Sequence, residues 1–162
     1  MKKNIIIIIL TLLTYPVLGQ DSLESFHKDS SLIRLNVLFG ELGGSGLLFS
    51  MNYERLLNNK FGVRVGVGSA GLMGLTFPAI LNYYIGKEKK LELGLGLIYT
   101  DYFPNNGGKY ISNGEFLITA TIGHKFQSEK RGIVFRFSFT PIYNLIKDKI
   151  LPFGGISIGY AF

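Results

Sequence analysis

The chain of 162 residues contains no cysteine and no tryptophan, and its only histidines are His27 and His124. Without cysteine, neither a disulfide framework nor a thiolate metal site can form. The two histidines are isolated, and no neighbouring residues complete a ligand set with metal-site spacing. Glycines such as Gly94 and Gly96 lie within alternating segments and lack the helix start that a phosphate-binding loop requires. The sequence therefore predicts no metal centre and no cofactor.

Long apolar runs are also missing after the N-terminal region, so the sequence offers no transmembrane helix there. Nevertheless 47% of the residues are hydrophobic, 14% are aromatic, and the mean hydropathy is +0.28. A water-soluble domain of this size more often gathers its apolar residues into longer blocks or amphipathic helices. The composition therefore favours a membrane protein that crosses the bilayer with strands.

The N-terminus has the features of an export signal. Lys2 and Lys3 precede a short apolar core, Ile5–Leu13, and Gly19 supplies a small residue for cleavage. A membrane anchor is the alternative, but the apolar stretch is shorter than the roughly 20 residues that a spanning helix needs. We expect residues 1–19 to be a signal peptide, 20–30 to be a flexible periplasmic lead-in, and 31–162 to be the folded domain.

The net charge of +6 could indicate an anionic partner. However, the basic residues stand mostly in short polar turns and form no patch interleaved with aromatic residues, as a nucleic-acid surface would. These turn residues are Lys87, Lys89, Lys90, Lys130 and Arg131. We therefore predict no nucleic-acid partner.

After residue 30 the sequence alternates between apolar and polar or small residues with a period of two, which is typical of strands. Each segment has about the 9–11 residues that a tilted strand needs to cross a bilayer. Closing an even number of such strands satisfies every backbone polar group in lipid. The sequence therefore predicts an all-β fold, a closed antiparallel up-and-down transmembrane β-barrel of eight strands. The segments are 31–42, 46–55, 61–69, 75–86, 91–101, 115–126, 132–142 and 153–162.

The apolar face of each segment is expected to contact lipid, and the charged face to line the interior. Aromatic residues near the strand ends should form two interfacial girdles. In the first two segments the apolar face comprises Ile33, Leu35, Val37, Phe39, Leu47, Phe49, Met51 and Tyr53. The girdles comprise Tyr53, Phe61, Tyr83, Phe126 and Tyr160 at one end, and Phe77, Tyr99, Phe139, Tyr143 and Phe153 at the other.

The connections alternate in character along the chain. Residues 56–60, 86–90 and 127–131 are short and charged, which is typical of periplasmic turns. Residues 41–45, 70–74, 102–114 and 143–151 should then face outside, and the last two are longer. The composition of the third outer loop suits contact with a surface partner, although a solvated connector is the alternative. Its candidate contact residues are Tyr102, Phe103, Asn105, Asn106, Lys109 and Tyr110.

The chain resembles the small eight-stranded outer-membrane barrels of Gram-negative bacteria, the OmpA- and OmpX-like class. The resemblance rests on the alternating segments, on the hairpin formed by 52–55 and 61–68, and on the closing Tyr160-Ala161-Phe162. It implies location in the outer membrane and contact with outer-membrane lipid, including lipopolysaccharide. It also implies that Tyr160 and Phe162 present an assembly signal to the barrel-assembly machinery.

Charged residues on the interior faces are the best candidates for a functional site. An eight-stranded barrel is only wide enough inside for its own side chains, and a buried charge there must be paired or hydrated. We expect a cluster of Arg34, Glu54 and Arg64, with Glu92 and Arg136 nearby. Such a cluster could plug the lumen, or it could form a charged gate on a narrow conducting path.

Catalysis finds little support in the sequence. Barrel enzymes that act on lipid A need a histidine beside a serine nucleophile and an acidic partner. His27 stands in the lead-in, and His124 has no serine in its short stretch. We expect a non-enzymatic protein with a structural or surface-interaction role. The alternatives are a narrow channel, a soluble periplasmic barrel that binds a lipid-like ligand, and, least favoured, a lipid-A-modifying enzyme.

Overall fold

The computed structural model describes residues 35–58, 60–71, 74–86, 89–102, 113–127 and 132–162. The expected signal peptide, the lead-in and residues 31–34 lie outside the described residues. Among the residues described, no helix has the length and apolar character needed to cross a membrane.

Eight strands follow one another in an up-and-down order, and each is antiparallel to its neighbours. The ring closes because β1 pairs with β8, with Val37 opposite Ala161. The prediction of a closed eight-stranded antiparallel barrel is confirmed. The strands are β1 (Asn36–Gly43), β2 (Phe49–Leu56), β3 (Phe61–Ser69), β4 (Gly74–Ile85), β5 (Lys89–Tyr102), β6 (Asn113–Gln127), β7 (Ile133–Asn144) and β8 (Lys149–Ala161).

The two ends of the barrel differ in their connections. We call the end after β1, β3, β5 and β7 the loop end, and the end after β2, β4 and β6 the turn end. At the turn end, the side-chain oxygen of Asn58 accepts hydrogen bonds from the backbone N–H groups of Lys60 and Phe61, both at 2.8 Å. This local bond explains why a polar asparagine stands between two strands, since it reverses the chain tightly.

The wall of the barrel is apolar outside and mostly polar or small inside. In β3 to β8 the outward positions are those that the alternation predicts, such as Val65 in β3 and Leu95 in β5. Leu95 is 66% exposed in the middle of its strand, where a water-soluble protein would gain by burying it. The opposite positions of the same strands are buried, as with Arg64 and Glu92.

The expected face of β1 is wrong. Val37 and Phe39 are buried inside the barrel, whereas Leu38 and Leu42 are exposed outside. Both faces of this strand carry apolar residues, so alternation alone could not separate them. Glu41 decides the register, because its fully buried carboxylate meets basic side chains in the interior. A one-residue shift would place it on the apolar outer wall.

The connection from β1 to β2 folds into the barrel instead of projecting from it. Residues 44–47, which we call the inward segment, are all buried, and Gly44–Gly46 form a single 3₁₀ turn. The expectation that Leu47 faces lipid is therefore wrong. Its side chain packs inside the barrel, and only 9% of it is exposed.

Aromatic side chains pair on the outer wall near both ends. Phe61 and Tyr83 lie 5.0 Å apart between ring centroids at the turn end, and Tyr99 and Phe116 lie 5.1 Å apart at the loop end. The expected girdle position of Phe153 is wrong, because this side chain packs against the apolar residues of the interior. Phe153 lies on the inward face of β8, where it packs against the cluster that contains Leu47 of the inward segment.

Candidate functional site: the charged interior of the barrel

Among the residues that the structure describes, six charged side chains inside the barrel are each at most 2% exposed. Three are acidic and three are basic, so this group is electrically balanced. Balance matters because an unpaired charge in such a site is costly, whereas a paired one is tolerated. The six are Glu41, Glu54, Glu92, Arg64, Lys125 and Arg136.

The strongest of these contacts spans the full width of the barrel. Lys125 Nζ in β6 lies 2.5 Å from Glu54 Oε2 in β2. The other carboxylate oxygen of Glu54 accepts hydrogen bonds from the hydroxyl of Tyr84 and, at 3.2 Å, from the amide of Asn82. Lys125 Nζ also stands 4.8 Å from the centre of the Tyr84 ring. Glu54 is therefore held by two strands besides its own, β4 and β6.

A second ion pair joins β5 and β7. Arg136 Nε lies 2.6 Å from Glu92 Oε2, and Arg136 Nη2 lies 3.7 Å from Glu41 Oε1. Within the described part of the chain, neither of these two side chains makes a hydrogen bond, so they attract each other as two close charges. Arg136 of β7 thus contacts one acid on β5 and another on β1, and these strands lie on either side of β7 in the ring.

Glu41 contacts two arginines and three serine hydroxyl groups inside the barrel. The hydroxyl groups of Ser45, Ser50 and Ser157 lie 3.3, 3.4 and 3.4 Å from its carboxylate oxygens. Ser45 belongs to the inward segment, so Glu41 ties that segment to the strands. This contact explains why a serine stands between two glycines in a buried turn.

Arg64 is held least well of the six. Its closest acidic partner is Glu41, at 3.8 Å, and none of its three guanidinium nitrogens makes a hydrogen bond within the described part of the chain. Its guanidinium group lies 6.0 Å from the centre of the Phe39 ring, and that of Arg136 lies 5.3 Å from the same centre. The two arginines share this aromatic face, where a cation is attracted to the ring.

Inward glycines make room for these long side chains. A methyl group at Gly94 would lie 2.6 Å from Asn82 Oδ1, and one at Gly62 would lie 2.9 Å from Glu54 Oε1. Both distances are closer than real carbon atoms approach. Gly62 therefore leaves room for the carboxylate of Glu54, and Gly94 leaves room for Asn82, which donates a hydrogen bond to that carboxylate.

The structure places Glu54, Arg64, Glu92 and Arg136 together inside the barrel, while Arg34 lies outside the described residues. Glu54 and Arg64 are direct neighbours in the β2–β3 ladder, but no ion pair joins them in the described structure. Glu54 of β2 instead forms its ion pair with Lys125 of β6, which is on the opposite wall of the barrel and does not pair with β2 in the sheet.

Sequence reasoning missed Glu41 and Lys125. The sequence places Glu41 at the overlap of the first segment and the outer loop that follows, and the face predicted for β1 would direct its side chain toward lipid. Lys125 could have been found, since it alternates with Thr121 and Gly123 on the inward face of β6.

Apolar side chains form a buried cluster inside the barrel between the charged cluster and the loop end. Leu47 of the inward segment belongs to this cluster, together with residues of β5, β6 and β7 and with Ala70, which follows β3. We call this group the outer seal. It comprises Leu47, Ala70, Ile98, Leu117 and Ile142, with Phe153 packed against it.

The remaining candidate residues lie apart from the charged cluster. His124 is on the outer wall, 6.3 Å from the ring of Phe126, whereas Ser138 of the next strand faces inward. Tyr160 and Phe162 are exposed on the outer side of β8, and the backbone of Phe162 is fixed by two hydrogen bonds to Asn36, at 2.8 and 3.1 Å. Tyr102 ends β5, and the other five residues of the expected surface loop lie outside the described residues.

The closed ring of eight antiparallel strands defines the fold class of the small outer-membrane β-barrels. Two solved structures resemble it. One is the N-terminal β-barrel domain of OprF from Pseudomonas aeruginosa, with 14% identity over 78% of this chain and 95% of that domain, and a TM-score of 0.61. The other is Ail, the attachment invasion locus protein of Yersinia pestis, with 15% identity over 78% of this chain and 93% of Ail, and a TM-score of 0.43.

The likeness to the OprF domain concerns the fold alone, since the two sequences are only 14% identical. No protein family model and no curated protein sequence matches the chain.

Proposed function

We propose that this protein is an integral outer-membrane barrel, without enzymatic activity, whose lumen is plugged. The observation that carries the proposal is the inverted polarity of the wall. Large apolar residues such as Leu95 and Phe137 are exposed, while six charged residues are buried inside. Lipid stabilises an apolar exterior, whereas water does not. A soluble carrier of lipid-like ligands would need the opposite arrangement.

The plug has two parts. The charged cluster fills the interior with long side chains that are paired across it, as Glu54 and Lys125 show. The inward segment adds the outer seal on the loop side. An eight-stranded barrel leaves room for little else, which favours a structural or surface-interaction role over transport.

Outer-membrane lipid, including lipopolysaccharide, is the expected surrounding of the apolar wall, and the barrel-assembly machinery is the expected partner during insertion. The outward aromatic rings of Tyr160 and Phe162 on the closing strand support the second expectation, since they are accessible to another protein before the barrel closes.

A narrow channel remains the second candidate function, and one observation favours it. Arg64 makes no hydrogen bond within the described residues although it is fully buried, so its charge needs water. Water in the middle of the lumen would provide part of a conducting path.

Cell fractionation and gel mobility test the main proposal. The protein should partition with the outer membrane, and the folded form should migrate differently before and after boiling. Recovery in the soluble periplasm, or the absence of a mobility shift, would contradict it. Planar-bilayer conductance of the wild type and of Glu54→Ala then separates a plug from a channel, because only a channel conducts in the wild type.

A further inference from the structure

A groove of about 710 Å³ crosses the outer wall of the barrel from β6 to the end of β1. Apolar and small residues line most of it, among them Phe137 and Phe139 of β7, and His124 lines it on β6. Its volume lies within the range of about 300–1,000 Å³ that is typical of small-molecule sites. The groove is therefore large enough to hold part of one bound molecule.

The groove is open because an outward position of β8 has no side chain. Ile122, Phe139 and Gly154 are paired across β6, β7 and β8, and all three face outward. The first two carry large apolar side chains, whereas a methyl group added at Gly154 would have no neighbour closer than 3.8 Å. Gly154 therefore leaves a depression in the wall beside Phe139.

A polar side chain stands at the end of the groove on β6. His124 is exposed on the outer wall, where its ring contacts that of Phe126, and no residue that the structure describes makes a hydrogen bond to it. The charged side chains at outward positions differ, since Arg55, Lys89 and Asp101 stand at or next to strand ends. A polar group without a hydrogen bond is costly in an apolar environment, so His124 requires a partner outside the protein.

The depth of His124 matches the polar part of a phospholipid. With the short charged turns on the periplasmic side, as the sequence predicts, Phe126 belongs to the aromatic girdle of the periplasmic interface. His124 is two residues farther from the turn end, which corresponds to about 5 Å of depth for a strand tilted by about 40°. The interfacial region on each side of a bilayer is about 5–7 Å thick. The imidazole is therefore at the level of the ester groups of lipids in the periplasmic leaflet.

The groove rises from this imidazole toward the middle of the wall. His124 is three residues from the turn end of β6, whereas Gly154 is seven residues from the turn end of β8. Phe137 and Phe139 lie between these two positions on β7. The acyl chains of the periplasmic leaflet extend in the same direction, from the interface to the bilayer centre.

We propose that this groove binds one glycerophospholipid of the periplasmic leaflet. An imidazole N–H of His124 donates a hydrogen bond to an ester carbonyl of the lipid, and one acyl chain lies across Phe137 and Phe139 in the depression at Gly154. This site presupposes the proposed outer-membrane barrel. It goes beyond general contact between the wall and lipid, because one lipid molecule is held at one place.

Native mass spectrometry counts the lipids that remain bound. The protein is reconstituted in phosphatidylethanolamine vesicles and extracted with a mild non-ionic detergent, and its intact mass is measured. We expect the wild type to retain one phospholipid, and Gly154→Leu, which fills the groove, to retain several-fold less. Gly40→Leu is the matched control and should behave as the wild type. A methyl group at Gly40 would also have no neighbour closer than 3.8 Å, but this residue lies outside the groove.

A second pair of variants tests the imidazole. His124→Leu removes the hydrogen-bond donor, whereas His124→Gln keeps a donor at this position. Retention of the phospholipid should fall several-fold in His124→Leu and stay close to the wild-type level in His124→Gln. Equal retention in the two variants would overturn the assignment of His124.

Gel mobility before and after boiling shows which variants have folded and inserted. If the wild type fails to insert, the proposed function fails. If the wild type inserts but retains no phospholipid, or if Gly154→Leu retains as much as Gly40→Leu, the lipid site alone is overturned. A mass of two chains without lipid, which disappears in Gly154→Leu, would overturn it as well, because a second copy of the protein would then occupy the groove.

Discussion

Glu54 and Lys125 form a 2.5 Å ion pair between β2 and β6, which are opposite strands of the ring. Most contacts in a barrel join neighbouring strands, where the backbone ladder already fixes the distance. This pair instead fixes the distance between two walls that share no ladder. Its loss should therefore affect the whole barrel and not one hairpin.

A double-mutant cycle measures this contact. Glu54→Gln and Lys125→Met should each lower the free energy of unfolding by about 3–5 kcal/mol, because each leaves a buried charge without its partner. The double variant should lose clearly less than the sum, since no unpaired charge remains. Urea unfolding in lipid vesicles gives the values. Glu115→Gln, at a half-buried acid that accepts a hydrogen bond from Asn144, is the control and should cost no more than about 1 kcal/mol.

The two interior arginines should differ in their contribution to stability. Arg136 lies 2.6 Å from Glu92 and 3.7 Å from Glu41, whereas Arg64 has only the 3.8 Å contact with Glu41. Arg136→Met leaves Glu92 without its base and leaves Glu41 only its contact with Arg64, so it should destabilise the barrel more than Arg64→Met. A difference of about 1–3 kcal/mol is expected, because a close ion pair is lost in one variant only. Equal unfolding midpoints in urea would show that Arg64 is paired as well as Arg136.

Two glycines on opposite sides of the wall provide a matched test of interior packing. Gly94→Ala would place a methyl group 2.6 Å from Asn82 Oδ1 and 3.1 Å from Ile80 and Thr121, so we expect a loss of about 1–3 kcal/mol. At Gly154 the nearest atom would be 3.8 Å away, and Gly154→Ala should change stability by no more than about 0.5 kcal/mol. The same urea experiment compares them. Similar losses at both positions would indicate a general cost of replacing strand glycines.

The fold could be predicted from the sequence because lipid and lumen impose a strict period of two on every strand. β3 shows this most clearly, since Val63, Val65 and Val67 alternate with glycine and Arg64. The pattern failed at β1, where Val37 and Leu38 are equally apolar and only Glu41 distinguishes the faces.

The candidate site was only partly predictable. Alternation shows which side chains enter the lumen, and so it identified Glu54, Arg64, Glu92 and Arg136. It gives no information about contacts across the lumen, which depend on the shear of the closed ring. For this reason the sequence predicts Glu54 beside Arg64, its ladder neighbour, and not beside Lys125. The inward segment was also missed, because the glycines around Ser45 are equally typical of an exposed loop.

Arginine substitutions on the outer wall test whether the apolar surface faces lipid. Leu95 lies in the middle of β5, and Leu95→Arg should lower the free energy of unfolding in vesicles by about 2–4 kcal/mol, since a charge at the bilayer centre is costly. Ile150, at the loop end of β8, is equally exposed, but Ile150→Arg should cost only about 0–1 kcal/mol because it lies near the interface. Equal costs at the two depths would argue against a bilayer around the barrel.

The absence of native cysteine allows the position of the inward segment to be measured by thiol labelling. Ser45→Cys should react slowly with a charged, membrane-impermeant thiol reagent, because residue 45 is completely buried beneath the outer seal. Ile146→Cys, in the turn after β7 at the same end of the barrel, is 72% exposed and should react rapidly. Adding Leu47→Gly to Ser45→Cys should accelerate labelling, since the glycine removes the apolar side chain through which the inward segment packs in the outer seal. If Ser45→Cys already reacts as fast as Ile146→Cys, the segment spends much of its time outside the barrel, and the lumen is closed by the charged cluster alone.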